Sequence, residues 1–213
     1  MSGAERGARV ALVAGARRMS ALGLNPGRSG NLSARVDGGF LVTPSALPYD
    51  KIGVDDVVFV DAADAAHGPR APSSEWRLHR DVYRRHPEAG AVAHTHSPCA
   101  TTLACLRRAI PAFHYEVAFA GGSDIRCAEY ATFGTQELSD RALAALEGRR
   151  ACLLANHGVV AFGATLEQAV ELAEKVEALA RLYWQALQAG EPVLLDAVEM
   201  SRVVALFTTY GKS

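Results

Sequence analysis

Residues 89–98, AGAVAHTHSP, combine an apolar run with two histidines and a proline, and they decide how the chain is organised. Ala91 to His96 is short, apolar and preceded by a glycine, which is typical of a strand buried inside a sheet. Ser97-Pro98 then begins a helix, because proline is tolerated at the first helical position. Residues two apart on a strand point to the same face, so His94 and His96 would lie side by side. The stretch therefore predicts an interior strand that ends in two potential metal ligands.

The sequence on both sides of this strand alternates helix and strand patterns. Apolar residues recur every three to four positions in the helical segments, and Asp37-Gly38-Gly39 supplies a hairpin turn between two strand patterns. We expect helices at 5–22, 73–86, 97–106, 135–146, 165–190 and 196–209, and strands at 31–36, 40–43, 57–61, 91–96 and 151–161, the last interrupted at His157-Gly158. This order predicts an α/β fold. Residues 1–213 would form a single domain, with helices covering both faces of a central mixed, largely antiparallel sheet.

The composition is that of an ordinary globular protein. Of the 213 residues, 49% are hydrophobic and 21% are charged, which allows a sizeable core and excludes a disordered chain. Lys and Arg total 22 against 23 for Asp and Glu, and the net charge of −1 argues against binding to nucleic acid or to an anionic membrane. No stretch reaches the roughly 18 consecutive apolar residues that span a bilayer. The four cysteines form no CxxC pair, which predicts reduced core thiols and a cytoplasmic protein.

A third histidine shares the setting of His94 and His96. His157 lies in Asn156-His157-Gly158, at the end of another apolar strand pattern, and two strand ends can meet. Three histidines leave one coordination position open. That arrangement is typical of a catalytic zinc site, because a structural site normally uses four protein ligands.

The other histidines have weaker patterns. We expect His67, in a polar loop, and His79 and His86, on a helix face rich in arginine, to lie at the surface. His114 is next to Tyr115, and its role stays open.

Two further segments have the chemistry of anion sites. Pro72-Ser73-Ser74-Glu75 precedes a helix pattern, so Ser73 or Ser74 is expected as the N-cap and Glu75 in the first turn. Glu75 would complete the metal site as an acid, or the three residues would only cap the helix, and these roles are compatible. Pro26 to Ser33 is a glycine-rich turn that enters a strand, where backbone amides and Arg28 could hold a phosphate. It matches neither a Walker sequence nor a dinucleotide fingerprint.

Together these motifs resemble the class II aldolase and adducin family over almost the whole chain, and within it the branch that cleaves L-fuculose 1-phosphate. The matching segments follow one another without large gaps. They are Leu22-Gly23-Leu24-Asn25, Ser29-Gly30-Asn31-Leu32-Ser33, Thr43-Pro44-Ser45, Pro72-Ser73-Ser74-Glu75-Trp76-Arg77, His94-Thr95-His96, Ile110-Pro111-Ala112, Tyr130-Ala131-Thr132-Phe133-Gly134-Thr135, His157-Gly158 and Thr209-Tyr210-Gly211.

The resemblance implies an enzyme that uses Zn²⁺ or another divalent metal, acts on a phosphorylated ketose, and forms a cyclic homotetramer with active sites between subunits. By matching position, the metal ligands would be Glu75, His94, His96 and His157. The phosphate site would be lined by Gly30, Asn31, Ser45, Ala46, Ser73 and Ser74. Glu75 and Tyr115 would be catalytic, and Phe133 and Tyr210 would contact the aldehyde part of the substrate, some of these from the neighbouring subunit.

The implied reaction is reversible cleavage of a ketose 1-phosphate to dihydroxyacetone phosphate and a small aldehyde such as L-lactaldehyde. A divalent ion would stabilise the enediolate as a Lewis acid. Glu75 would protonate the enediolate, and Tyr115 would accept the proton of the C4 hydroxyl. A Schiff-base mechanism has no evident nucleophile, since the three lysines, Lys51, Lys175 and Lys212, show no desolvated setting.

Several alternatives stay open. The substrate could instead be 5-deoxyribulose 1-phosphate or 5-methylthioribulose 1-phosphate, and the latter could be cleaved or dehydrated. An adducin-like interaction module or a structural zinc protein would not need the open three-histidine site with its glutamate. One departure from the family is Ala46, where a glycine is usual, and a positive φ there would cost on the order of 1 kcal/mol.

Overall fold

The computed structural model describes residues 3–209, and one eight-stranded sheet organises them. The strands are β1 Asn31–Val36, β2 Gly39–Val42, β3 Val58–Asp61, β4 Ala66–His67, β5 Ala91–Thr95, β6 Cys127–Ala128, β7 Ala151–Leu154 and β8 Gly158–Gly163. Their order in the sheet is β4-β3-β2-β1-β5-β8-β7-β6. Every neighbouring pair is antiparallel except β6 with β7, which confirms the mixed, largely antiparallel sheet.

The strand predicted from AGAVAHTHSP lies inside this sheet. β5 pairs with β1 on one edge and β8 on the other, and all five of its residues are buried. His94 is opposite Asn31 of β1 and Val160 of β8. Both edges of β5 are therefore hydrogen-bonded, so the backbone that carries His94 is held on both sides.

Helices cover both faces of the sheet, as expected. They are α1 Gly3–Ala21, α2 Trp76–Arg85, α3 Pro98–Cys105, α4 Gln136–Ala145, α5 Leu166–Ala189 and α6 Ala197–Thr209. One buried apolar cluster joins α1, α3, α5 and α6 to one face, and a second joins α2 and α4 to the other. Among the described residues, no helix is long and apolar enough to cross a membrane.

Three local expectations are wrong. α2 begins at Trp76, so neither Ser73 nor Ser74 is its N-cap, and Glu75 precedes the helix without a capping hydrogen bond from its side chain. His79, expected at the surface, is completely buried. Cys105 is exposed, although the cysteines were expected in the core, and all four thiols are free.

The positive φ considered at Ala46 is present. Ala46, in the turn that follows β2, has a φ of 57° and is exposed. An L-residue in this left-handed conformation loses roughly 1–2 kcal/mol through contact of its Cβ with the backbone. The chain therefore keeps a strained turn where glycine would be relaxed.

We expect Ala46→Gly to stabilise the protein by about 0.5–1 kcal/mol, because relief of this strain exceeds the extra entropy of glycine in the unfolded chain. The melting temperature should rise by about 1–4 °C in a thermal unfolding experiment. Ala63→Gly is the matched control, since Ala63 is exposed and has no positive φ. It should destabilise the protein slightly, and an equal loss in both variants would contradict the assignment of strain.

Candidate active site

Four predicted ligands meet in one cluster. His94 comes from β5, His96 follows that strand, His157 lies in the turn between β7 and β8, and Glu75 precedes α2. Their potential ligand atoms all lie within 4.8 Å of one another. The three imidazole rings are mutually edge-on, with centroids 4.8 Å apart in each pair.

The backbone around the cluster is packed tightly enough to require glycine. Gly30 has a φ of 75°, and a Cβ there would lie 2.6 Å from the carbonyl oxygen of His94. The side chain of Asn25 fixes the same region, since its Oδ1 accepts a hydrogen bond from the His96 amide at 3.2 Å. Its Nδ2 donates to the Tyr49 hydroxyl at 3.3 Å, and this hydroxyl donates to the Ser29 carbonyl at 3.1 Å. The glycine-rich turn is thus tied to the strand end that carries the histidines.

The hydrogen bonds of His94 show that the cluster fits a cation. Nδ1 of His94 donates to the Val159 carbonyl at 2.8 Å, so Nε2 of the neutral ring carries a lone pair. This Nε2 lies 3.0 Å from Glu75 Oε2 and 2.9 Å from His96 Nε2. The other carboxylate oxygen, Glu75 Oε1, is buried and accepts no hydrogen bond. Nitrogen and oxygen acceptors at this spacing are the donor set of a divalent metal such as zinc.

The electrostatics of the cluster keep these groups in ligand form. Burial and the charge on His94 lower the pKa of His96 to about 3, and the same causes lower the pKa of His157 to about 4. Burial opposes ionisation of Glu75, but His94, His157 and Asn31 together hold its pKa well below the usual range. Burial also opposes protonation of His94, yet Glu75 leaves its pKa above the ordinary value. At neutral pH, His96, His157 and Glu75 therefore offer free lone pairs.

Three members of the cluster, Glu75, His96 and His157, line a cleft of about 310 Å³, which is large enough for a small ligand. The six residues proposed for the phosphate all line it, and so does Phe133. The lining also contains Arg28, which the glycine-rich turn had indicated for a phosphate, and Tyr49, Tyr130 and Asn156, which were not predicted as site residues. Arg28 Nη1 donates to the Ala46 carbonyl at 3.2 Å, so the glycine-rich turn and the strained turn form one wall.

One predicted residue lies away from this cleft, and another falls outside the part of the chain that the structure describes. Tyr115 begins a 3-10 segment, Tyr115–Ala120, and its half-exposed ring stacks on Phe207 with centroids 6.2 Å apart. Within the described residues it does not line the cleft of its own chain. Tyr210 lies outside the described residues.

Sequence reasoning missed His79, which contacts the site through Asn31. Its Nε2 is hydrogen-bonded to Asn31 Oδ1, and Asn31 Nδ2 donates to Glu75 Oε2 at 3.0 Å. The signal was available, because His79 lies four residues after Glu75, about one helical turn into α2. The arginines around His79 indicated an exposed helix face instead.

Comparison with known proteins agrees with this geometry. The family model described as "Class II Aldolase and Adducin N-terminal domain" matches residues 10–184. A 5-methylthioribulose-1-phosphate/5-deoxyribulose-1-phosphate aldolase from Rhodospirillum rubrum is 54% identical over 211 residues, covering 99% of this chain and 96% of the relative. An L-fuculose phosphate aldolase from Escherichia coli O6:H1 is 46% identical over 194 residues, with 91% and 90% covered. A solved structure of an L-fuculose 1-phosphate aldolase superposes with a TM-score of 0.93 at 39% identity, with 98% of both chains covered.

We expect protein purified without chelators to contain about one divalent metal per chain, and His94→Ala to lose most of it, because a three-histidine site depends on each ligand. Elemental analysis measures the metal content. His67→Ala is the control, since His67 is exposed and contacts Asp61 and Phe59 outside the cluster. A wild-type protein that neither contains nor can be reloaded with stoichiometric metal would rule out the metal site.

Proposed function

The chain belongs to the class II aldolase and adducin family, and on that premise we propose that it reversibly cleaves a ketose 1-phosphate to dihydroxyacetone phosphate and a small aldehyde. The reaction class is that of a metal-dependent aldehyde-lyase. The supporting observation is the convergence of three imidazoles and an ionised glutamate beside a cleft that the glycine-rich turn also lines. An interaction module without catalysis would gain nothing from burying this set of acceptors.

The cleft also has residues with the donors that a phosphate needs. The turns that contain Gly30 and Ala46 line it, together with Ser45, Ser73 and Ser74. Arg28 adds a positive charge to the same wall. Neutral donors in a turn together with one guanidinium are a common form of phosphate site. We assign the phosphate of the ketose to these residues.

Glu75 is the group placed to carry a proton. A metal held by Glu75, His94, His96 and His157 would supply Lewis-acid stabilisation of the negative charge that develops on the ketose oxygens. The Glu75 carboxylate is ionised, buried and oriented by Asn31, so it can take and return the proton on the carbon that loses the aldehyde. No lysine of the described residues lines the cleft, since Lys175 pairs with Glu116 and Lys51 is exposed elsewhere.

The aldehyde side of the reaction needs a second copy of the chain. Tyr115, our candidate at the C4 hydroxyl, is exposed and away from the cleft of its own chain. We therefore propose a homotetramer in which Tyr115 of one subunit completes the site of its neighbour. The part of the cleft lining that contains Phe133 and Tyr130 is open and apolar, since these side chains are 66% and 47% exposed.

Similarity to relatives favours a substrate whose aldehyde part is short and apolar. The R. rubrum relative that is named for 5-methylthioribulose 1-phosphate and 5-deoxyribulose 1-phosphate is 54% identical, against 46% for the E. coli fuculose enzyme. We place these two substrates before L-fuculose 1-phosphate, the substrate expected from sequence. A methyl or thioether group would contact the apolar rim formed by Tyr130 and Phe133, and such contacts discriminate only modestly.

A substrate panel tests this order. With metal-loaded protein, we expect kcat/KM for 5-deoxyribulose 1-phosphate and 5-methylthioribulose 1-phosphate to exceed that for L-fuculose 1-phosphate by about tenfold, the effect of one apolar group in a pocket. Release of dihydroxyacetone phosphate measures cleavage. Loss of water without this product would identify a dehydratase, and turnover of none of the three would refute the proposed function.

Glu75→Gln separates proton transfer from metal binding. It keeps the size of the side chain and one oxygen but removes the basic carboxylate, so kcat should fall by roughly 10²–10⁴ while metal is retained. Exchange of the dihydroxyacetone phosphate proton with solvent should fall in parallel. Tyr115→Phe is the comparison, because it should slow full cleavage and spare this exchange. Exchange at the wild-type rate in Glu75→Gln would move the base elsewhere.

A further inference from the structure

Two short patterns bring five polar side chains together beneath the site. Asn31 and Ser33 are two apart on β1 and share a sheet face, while His79 and Tyr83 are four apart on one face of α2, and Glu75 immediately precedes that helix. All five are buried, His79 and Ser33 completely. The two sets face each other, and His79 lies in the middle.

Hydrogen bonds connect these side chains in a single line. Tyr83 Oη lies 2.7 Å from Ser33 Oγ, and Ser33 Oγ lies 2.6 Å from His79 Nδ1. His79 Nε2 is bonded to Asn31 Oδ1, and Asn31 Nδ2 is 3.0 Å from Glu75 Oε2. The line starts in the core and ends on the carboxylate of the proposed proton carrier.

The chemistry of the last member fixes the direction of every bond. An ionised carboxylate only accepts, so Asn31 must present its NH₂ to Glu75 and its oxygen to His79. His79 must then carry its proton on Nε2, which leaves Nδ1 to accept from the Ser33 hydroxyl. Ser33 in turn accepts from the Tyr83 hydroxyl. Burial lowers the pKa of His79 to about 3, which keeps the ring neutral and compatible with this order.

We propose that His79 is a positioning residue, whose Nε2–H holds the Asn31 amide in the one orientation that donates to Glu75. A flipped amide would place its oxygen against the carboxylate, where two acceptors repel each other. Asn31 also lines the cleft, so the same bond keeps its amide edge in place there. The assignment rests on the proposed function, because it gives Glu75 the role of proton carrier.

Two substitutions at this position separate positioning from packing. In His79→Gln the side-chain NH₂ can reach the position of Nε2 and still donate to Asn31, whereas in His79→Asn it reaches only the position of Nδ1. We expect His79→Gln to keep kcat within about threefold of the wild type and His79→Asn to lower it about tenfold, the effect of one hydrogen bond. Both should retain about one metal per chain, since neither changes a ligand. An equal loss of kcat in both variants would overturn the proposal.

A double-mutant cycle tests the route through Asn31. In an Asn31→Ala background, the further loss of kcat caused by His79→Asn should shrink to less than about twofold, because the connection is already broken. A full tenfold loss in that background would show that His79 acts by another path. Wild-type protein without metal or aldolase turnover would instead refute the proposed function, so the two failures are distinguishable.

The tautomer of the His79 ring can be measured without an activity assay. Nitrogen NMR of ¹⁵N-histidine-labelled wild-type protein should show His79 as a neutral ring protonated on Nε2 throughout the neutral pH range. A ring protonated on Nδ1, or a charged ring, would contradict the order of donors. If His79→Asn fails to fold, this readout still tests the proposal, because it uses the wild-type protein.

Discussion

The pairing of β5 on both of its edges is the constraint on which the site depends. β1 brings Asn31 opposite His94 on one edge, and β8 brings the Val159 carbonyl to His94 Nδ1 on the other. These two neighbours fix the position of the ring and its tautomer. A shift of the register by one residue would turn His94 to the opposite face of the sheet and separate it from Glu75.

Burial and charge act in opposite directions at this strand end. An isolated carboxylate in the interior is strongly unfavourable, and Glu75 is nonetheless ionised because imidazoles and an amide face it. His96 and His157 lose their own protons because they are buried next to His94, whereas the Glu75 carboxylate raises the pKa of His94. The strand end therefore concentrates the lone pairs of two imidazoles and a carboxylate in a small volume. A divalent cation would be bound by these lone pairs.

The sequence predicted the larger part of this arrangement from periodicity and short motifs. The HxH pair on an apolar strand and the histidine before Gly158 indicated a metal site, because a strand end leaves few directions for its side chains, and the resemblance to the family supplied the full ligand set. The two-residue strands β4 and β6 were missed, since Ala66–His67 and Cys127–Ala128 are too short to show alternation. His79 was misplaced because its arginine neighbours indicate an exposed face, while its own side of α2 is buried with Leu78 and Val82. Tyr115 was expected from the resemblance to the family, and within the described residues it lies outside the cleft of its own chain.

The exposed rim of the cleft has a consequence for how the protein can change. Phe133 and Tyr130 contribute little to the core, and substitutions at such exposed positions usually alter folding stability by no more than about 0.5 kcal/mol. The histidines and their supports are interior, where most substitutions are strongly destabilising. Substitutions at the rim would therefore be tolerated more readily than substitutions at the reacting centre. A lineage built on this scaffold can explore new aldehydes without first acquiring a more stable fold.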